Sequence, residues 1–317
     1  MIISITHEVD LDGLGSQAII KRYFEKVKYI EPQKIRLYFA QYTNFKEKVK
    51  SVLNREELPE KLIISDLGFN DDFNELFPLF KKAQIMDCKI FWFDHHIVDS
   101  KIRLKLKQLL SVYLNNKKKC AAEIVKDYFL PEDPIANEIA EYARDSDFGT
   151  NKYKISEELQ SVIAFNRGIK KLSNRKHIVN FLSVGNFLDV WFDQQLESLK
   201  IWEEREIQKV TRNIKIYGIE NLGEIIISFA KIGGGKIAKW LKQHYPEKKL
   251  YLGIDSRYNE VIIYSDYVDC RELARQYHGG GHRNRAGFKI STLINKRNEI
   301  DKKFLEDFVL KILKYVD

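Results

Sequence analysis

Three short apolar runs in the first hundred residues end in carboxylates or imidazoles. Residues 1–6 lead into His7-Glu8-Val9-Asp10-Leu11-Asp12-Gly13, residues 61–65 into Asp66, and residues 89–93 into Asp94-His95-His96. Short β-branched and aromatic runs of this kind read as buried parallel strands. In an open α/β sheet, ligands gather beyond the carboxyl ends of such strands. Acids and imidazoles brought to one rim repel one another or desolvate badly unless something positive lies between them, and hard divalent metal ions held by Asp and His answer that need. Taken singly the signals are open: Asp10, Asp12 and Gly13 also suit a helix N-terminus, and Asp66 a cap or turn. Two adjacent histidines behind an acid at the end of an apolar strand have no helical or core role as a set.

The elements that must position these groups follow from periodicity. Residues 1–6, 35–42, 62–65 and 90–93 read as strands, alternating with helical patterns at 14–26, 45–53 and 71–82. This βαβ alternation implies a parallel, doubly wound sheet. From 121 to about 212 the pattern turns helical, at 121–129, 135–145, 156–165, 177–182 and 190–212; the last is long and thickly charged, as a helix linking two domains would be. Residues 217–224 then read as a connector. Strand patterns resume at 225–230, 250–255, 261–265 and 287–291, with helices at 236–244, 271–278 and 302–315, and Asp269 with Glu272 reads as a cap on the middle one. The expected class is α/β: a larger domain over 1–188, a linker helix and connector over 189–222, and a smaller α/β domain over 223–317.

At 317 residues, two domains are the default. Hydrophobic content of 44% and charged content of 31% suit a soluble globular protein, and no stretch approaches ~18 uninterrupted apolar residues, so no membrane span is expected. The chain enters a strand without a basic leader and apolar segment, which reads as cytoplasmic rather than secreted. Cys88, Cys120 and Cys270 lie far apart with no CxxC pair, the spacing of buried reduced thiols rather than a zinc cluster or disulfide framework. A net charge of +8 favours an anionic partner, nucleic acid being the commonest, although the basic residues are spread along the chain.

The order His-x-x-Asp-x-Asp-Gly, then a strand-end Asp, then Asp-His-His resembles the DHH phosphoesterase superfamily. Asp145 in Ala-Arg-Asp-Ser-Asp-Phe falls where that family's fourth motif supplies another aspartate, with Asp147 as the alternative. Gly279-Gly280-Gly281-His282-Arg283-Asn284-Arg285-Ala286-Gly287-Phe288 is similar to the GGGH signature of the DHHA1 substrate-binding domain, and Arg257 falls where members keep a phosphate-binding arginine. The resemblance covers the whole chain in order. It implies a DHH catalytic domain, a linker and a DHHA1 domain.

It also implies two manganese ions, with magnesium as a possible substitute. One ion would take His7, Asp10 and Asp66, the other Asp12, Asp66, His95 and Asp145, with Asp66 bridging. His96 would lie beside the scissile phosphate and Asp94 would support the imidazoles. The His7-to-Asp10 spacing is one residue shorter than the His-x-x-x-Asp of some members. In the second domain the glycines at 279–281 also suit a helix C-cap. Beyond a cap, the bare amides of Gly280 and Gly281, with His282, Arg283 and Arg285, can approach phosphate oxygens, and Arg257 can grip a second phosphate. Glycines 233–235 resemble a phosphate-cradling helix start, with a plain turn the simpler reading. Tyr258, Tyr264 and Phe288 could stack bases, core packing being the better reading.

The function expected is a two-metal hydrolase. It would be an exonuclease releasing nucleoside monophosphates from short oligoribonucleotides or single-stranded DNA, with 3′-to-5′ attack slightly preferred. The alternative is a cyclic or linear dinucleotide, or 3′-phosphoadenosine 5′-phosphate, as substrate. In a different class stands a non-catalytic nucleic-acid-binding subunit with replication or repair partners. Monomer and homodimer are both compatible with the chain.

Overall fold

The computed structural model describes residues 1–69, 71–219, 222–290, 293 and 300–312. The chain forms two compact units, Met1–Leu196 and Glu197–Asp317.

In the first unit the order is β1 (Ile2–His7), α1 (Leu11–Arg22), β2 (Ile35–Ala40), α2 (Phe45–Leu53), β3 (Lys61–Ser65), α3 (Phe77–Ile85), β4 (Lys89–Asp94), α4 (Ser100–Leu109), β5 (Val112–Asn115), α5 (Ala121–Phe129), α6 (Pro134–Phe148), α7 (Lys154–Phe165), α8 (Leu172–Ser183) and α9 (Val190–Arg212), whose last residues belong to the second unit. The five strands are all parallel, in the order β2-β1-β3-β4-β5. Neighbouring strand residues face opposite layers: Ile2, Ile63 and Phe93 pack with α1, α5 and α6, whereas Ile3, Ile5, Ile64 and Trp92 pack with α2, α3 and α4. Burial on both faces is why these strands read as unbroken apolar runs. The strand order reverses between β1 and β3, and that switch point is where a doubly wound sheet opens a crevice at its carboxyl end.

Several boundaries differ from those the periodicity predicts. Helix α1 starts at Leu11 because the Asp10 side chain caps it, accepting from the Gly13 amide at 3.0 Å. The turn at Asp71–Leu76 is 3₁₀, and the α-helix begins only at Phe77, with a proline in its first turn. Helix α4 and edge strand β5 escape the periodicity reading; four lysines and arginines interrupt the apolar positions of α4. Helix α6 runs three residues past the expected end and stops where Gly149 turns left-handed at φ 63°.

The second unit contains β6 (Lys215–Ile219), β7 (Gly223–Ala230), α10 (Gly234–His244), β8 (Leu250–Asp255), β9 (Glu260–Ser265), α11 (Cys270–Arg275), β10 (Gly280–His282), β11 (Arg285–Lys289) and α12 (Lys302–Ile312). Its six-stranded sheet has the order β10-β11-β9-β8-β7-β6 and is antiparallel except for the β7–β8 pair. The expected connector at 217–224 is corrected: Tyr217 and Gly218 pair with Ile225 and Glu224 in an antiparallel hairpin, residues 220 and 221 lying outside the described residues. Of the expected strand at 287–291 and helix at 302–315, residue 291 and residues 313–315 lie outside the described residues.

The chain is α/β throughout, a parallel-sheet unit followed by a mixed-sheet one. All three cysteines are buried and free. Among the described residues no helix is long and apolar enough to cross a membrane.

Candidate metal centre

The carboxyl ends of β1, β3 and β4 bring the charged groups together at the switch point. His7 closes β1, and its Nδ1 lies 2.7 Å from Asp10 Oδ2. The short spacing between the two residues therefore still makes a pair. Asp10 Oδ1 is spent on the Gly13 amide, so its carboxylate faces His7 with one oxygen only. A Cβ on Gly13 would collide with the His7 carbonyl oxygen, so only glycine lets the first turn of α1 lie against the end of β1. The Thr6 hydroxyl donates to the Gly13 carbonyl at 2.7 Å and accepts from the Ser65 hydroxyl at 3.0 Å, tying β1 to α1 and β3. From α7, Gln160 accepts from the Leu11 amide at 2.8 Å and donates to the Val9 carbonyl at 3.3 Å, which fixes the turn carrying Asp10.

Asp66, the residue after β3, has left-handed backbone at φ 55° and is 2% exposed. Such backbone is strained for a non-glycine residue and persists only where its surroundings hold it. Here its amide donates to the Phe93 carbonyl at 3.0 Å, and Trp92 Nε1 donates to the carbonyl of the next residue, Leu67, at 2.8 Å. Trp92 is fully buried against Phe45, Phe69 and Phe80. The strained turn is thus anchored on a core side chain whose truncation to alanine costs about 3–5 kcal/mol.

The two Asp66 oxygens face opposite ways. Oδ2 lies 3.4 Å from His7 Nδ1 and Oδ1 lies 3.4 Å from His95 Nε2. His95 Nε2 also lies 3.6 Å from Asp12 Oδ2, and its Nδ1 lies 3.6 Å from Asp147 Oδ2. Asp12 is 1% exposed, and its two oxygens accept from the amides of Ala121 and Ala122, each at 2.7 Å. These amides open α5, so the positive end of that helix holds the carboxylate. Among the described residues, three sets with ligand atoms within 4.8 Å of one another result: His7, Asp10 and Asp66; Asp12, His95 and Asp147; and Asp66, His95 and His96.

Asp145 is absent from these sets, and the expectation that it joins the cluster is corrected in favour of Asp147. Two residues apart on a helix, the side chains point about 200° away from each other. Asp145 faces the α6–α7 turn, where its carboxylate accepts from the Thr150 hydroxyl and from the amides of Lys152 at 2.7 Å and Tyr153 at 3.0 Å. Burial opposes ionisation there, but the Thr150, Lys152 and Tyr153 donors hold its carboxyl down at about 2.

Crowding governs the electrostatics. Burial, and then the Asp66 charge, push Asp12 well above the usual carboxylate range; burial and the Asp10 charge do the same to Asp66, and burial raises Asp147. Burial opposes charging of His7, but Asp10 and Asp66 outweigh it and raise the imidazole to about 10. A proton on His7 therefore compensates two acids. Asp66 Oδ2 is buried without a hydrogen-bond partner, a costly arrangement unless a cation completes it. Hard oxygen and imidazole donors, too many like charges and one orphaned buried oxygen fit divalent metal.

His96 is oriented differently from His95. Its Nδ1 lies 2.7 Å from Asp94 Oδ1, and its amide donates to Asp94 Oδ2 at 3.2 Å. Asn115 donates to Asp94 Oδ2 at 3.3 Å and to the His96 carbonyl at 2.9 Å. Asp94 accordingly supports His96, not both imidazoles, and is the chief cause of its raised pKa. Tyr42 escaped sequence reasoning. Its hydroxyl lies 3.1 Å from His96 Nε2 and accepts from the Gly68 amide at 3.3 Å, and its ring lies 5.7 Å from that of His7. Burial pushes the Tyr42 hydroxyl up to about 12, so it stays protonated.

In the second unit the Arg257 guanidinium forks onto buried Asp255, Nε to Oδ1 at 2.9 Å and Nη2 to Oδ2 at 2.6 Å. It lies 5.3 Å from the Trp202 ring and 5.1 Å from the Tyr258 ring. In the GGGH segment Gly279 closes α11, its amide donating to the Ala274 carbonyl at 2.9 Å, and the next three residues form a hairpin strand. His278, at φ 58°, makes the left-handed turn after α11, and Gly280, Gly281 and His282 pair with Gly287, Ala286 and Arg285. Gly280, Gly281, His282, Arg283 and Arg285 are all exposed, and the Arg285 guanidinium lies 5.2 Å from the Tyr264 ring. Phe288 is core, stacked on Tyr277 at 4.5 Å. Glycines 233–235 open α10; Gly234 and Gly253 approach so closely that a Cβ on either would strike the other's carbonyl or a neighbouring backbone atom, so packing accounts for Gly234.

Residues 1–147, the segment that carries every group of this centre, match the DHH family, N-terminal domain. Among solved structures, the DHH domain of a protein described as a member of a family of ribosomal proteins aligns at TM-score 0.60 and 16% identity, over 100% of this chain and 87% of that one. A pGpG-specific phosphodiesterase from Vibrio cholerae, PggH, aligns at TM-score 0.54 and 13% identity, over 99% of this chain and 100% of that one. At these identities the likeness shows the fold. No curated protein sequence matches the chain. Residues 1–147 therefore carry a DHH-family N-terminal domain, and the switch-point cluster of acids and histidines lies within it.

Proposed function

We propose that the chain is a manganese-dependent phosphodiesterase that hydrolyses short oligoribonucleotides or single-stranded DNA to nucleoside monophosphates. The observation that carries this reading is the buried Asp66 carboxylate, one oxygen toward His7 and the other toward His95. A carboxylate so shared suits two cations, which His7, Asp10 and Asp66 would hold on one side and Asp12, Asp66, His95 and Asp147 on the other. Mixed carboxylate and imidazole donors suit manganese, with magnesium a possible substitute. When bound, such ions neutralise phosphoryl charge and make water a nucleophile near neutral pH.

The chain's own groups do the rest. Asp94 and Asn115 lock the His96 ring and backbone, so that Nε2 is presented on the Tyr42 side. His96 is the proposed proton donor to a phosphoryl or leaving oxygen, its charged form favoured by Asp94. Tyr42, protonated and beside both His7 and His96, is a hydrogen-bond donor at the same place. In the second unit Arg257, held by Asp255, is the proposed phosphate-binding group, with exposed His282 and Arg285 as further candidates.

A linear dinucleotide as the principal substrate is the second reading. It is supported by the full-length alignment with a protein named for pGpG hydrolysis. The test is a panel of end-labelled RNA pentamer, longer single-stranded DNA, pGpG and 3′-phosphoadenosine 5′-phosphate, with and without Mn²⁺. Metal-dependent monophosphate release from the pentamer or the DNA, abolished by Asp66→Asn, is expected. Faster turnover of pGpG than of the pentamer would select the second reading. Single-strand binding with no hydrolysis of any substrate would replace both with the non-catalytic one.

A further inference from the structure

A second concave site lies on the first unit, and it shares no residue with the metal centre. A cavity of about 780 Å³ follows β2, the edge strand of the parallel sheet, and is closed by side chains of α1, α2 and α8. Five basic residues line it against two acids. Lys21 is paired with Glu25. Arg36, Lys48 and Lys176 have no carboxylate partner among the described residues.

Arg175, from α8, is the informative group. It is 2% exposed, its Nε has no hydrogen-bond partner, and its Nη1 lies 2.9 Å from Glu8 Oε2 without the geometry of a hydrogen bond. Its guanidinium lies 5.3 Å from the Phe39 ring, but that contact satisfies none of its N–H groups, and unmet buried donors are costly. One carboxylate cannot saturate five donors fixed in a fork, whereas a phosphate offers several oxygens to a guanidinium and to flanking ammonium groups. The volume lies within the range of small-ligand sites, and half-buried Tyr38, whose hydroxyl accepts from Arg55 at 2.8 Å with the Arg55 guanidinium 5.8 Å from its ring, forms part of the wall.

We propose that this groove binds the phosphate of a nucleotide or of a single-stranded nucleic acid, with Arg175, Lys48 and Lys176 on the phosphate. The site is separate from the hydrolytic reading, because its lining contains none of the candidate metal ligands.

The test uses the full chain in chelator, which silences the metal centre, in an Arg257→Ala background, which removes the second unit's candidate arginine. Inorganic phosphate, AMP and a short single-stranded oligonucleotide are titrated calorimetrically into this protein and into versions carrying Lys48→Glu with Lys176→Glu, or Arg175→Met. Saturable binding that weakens by about tenfold or more in the double charge reversal is expected; two lost phosphate contacts also flatten the salt dependence. Lys176 is exposed and Lys48 only partly buried, so the reversal leaves the fold intact and keeps the test decisive should Arg175→Met unfold. Response to AMP or phosphate identifies a free ligand, and response to the oligonucleotide alone identifies a nucleic-acid backbone. Affinities unchanged by the charge reversal, or no saturable binding of any of the three probes, overturn the proposal. Hydrolysis measured separately with Mn²⁺ reports on the metal centre alone.

Discussion

Asp145 and Asp147 lie two residues apart on one helix and should fail in opposite ways when replaced. Asp145 is 4% exposed and accepts from the Thr150 hydroxyl and from the Lys152 and Tyr153 amides. Asp145→Ala strands those donors. At about 1–3 kcal/mol for each unmet buried group, less whatever water recovers at this turn, the loss is about 2–4 kcal/mol. For a unit of this size 1 kcal/mol moves Tm by about 2–4 °C, so Tm should fall by roughly 5–15 °C. At a temperature where the variant is folded, metal-dependent activity per folded molecule should stay within about threefold of the parent, since nothing that faces His95 has changed. Asp147→Asn should do the reverse. Its side chain is 28% exposed, burial already disfavours its charge, and its contact is with His95 at 3.6 Å. Stability should hold within about 0.5 kcal/mol. Metal affinity or turnover should drop by at least about 100-fold, more than the loss of an outer-shell partner causes. Differential scanning fluorimetry with and without Mn²⁺, run beside a single-turnover assay, reads both quantities. An Asp145→Ala protein with unchanged Tm and abolished activity, or an Asp147→Asn protein with full metal-dependent activity, would refute the assignment.

Asp255→Asn should loosen the Arg257 fork while leaving the metal centre untouched; the expected result is KM raised about tenfold, or about 1.4 kcal/mol, with kcat retained. Arg257→Lys should not rescue it, since an ammonium cannot make the bidentate pair. Arg22 holds Asp133 through Nε and Nη2, each at 2.9 Å, and Asp133 also accepts from the Ala136 amide that opens α6. Burial opposes ionisation of Asp133, but Arg22 and that amide hold it below its usual 3.8, so this contribution is present above that pH and lost as pH falls through the depressed value. Arg22→Met should therefore lower Tm at neutral pH, with the gap from the parent closing below about pH 4 in a melting series. Gly13→Ala should drive a methyl into the His7 carbonyl, costing about 1–3 kcal/mol and weakening the Mn²⁺-induced rise in Tm; an unchanged melting curve and metal response would contradict the close packing of α1 on β1.

The parallel sheet was legible because burial on both faces leaves unbroken apolar runs, and the acids and histidines were legible because they interrupt those runs at one end. What the sequence could not convey was direction. Whether Asp145 or Asp147 turns toward His95 depends on the roll of α6, which is set by packing and by the turn at 149–153 that consumes Asp145. Tyr42 and Asn115 come from the ends of β2 and β5, and only the 2-1-3-4-5 strand order brings them beside His96. The hairpin of β6 and β7 was hidden because Gly218 and Gly223 mimic a linker, although Gly218 pairs across the sheet. In the GGGH segment the glycines answer to sheet packing: a Cβ on Gly279 would strike the Gly287 carbonyl, and one on Gly281 the Ala286 backbone. That leaves Gly280, which has open space around its Cβ position, as the glycine packing does not explain.

The centre is also where local rules are broken together. Asp66 is strained, burial and neighbouring acids push Asp12 and Asp66 above the usual carboxylate range, and His7 holds a proton between two acids. The remaining like charges favour separation unless a cation lies between them. The cluster's geometry is imposed from outside by Trp92 on Leu67, by the Thr6–Ser65 pair, by Gln160 on the turn of Asp10 and by the amides of α5 on Asp12. Each of those supports comes from a different element, so no single helix or loop could slip without opening the cluster. A framework that holds repelling groups in place from so many directions gives a site preorganised for positive charge.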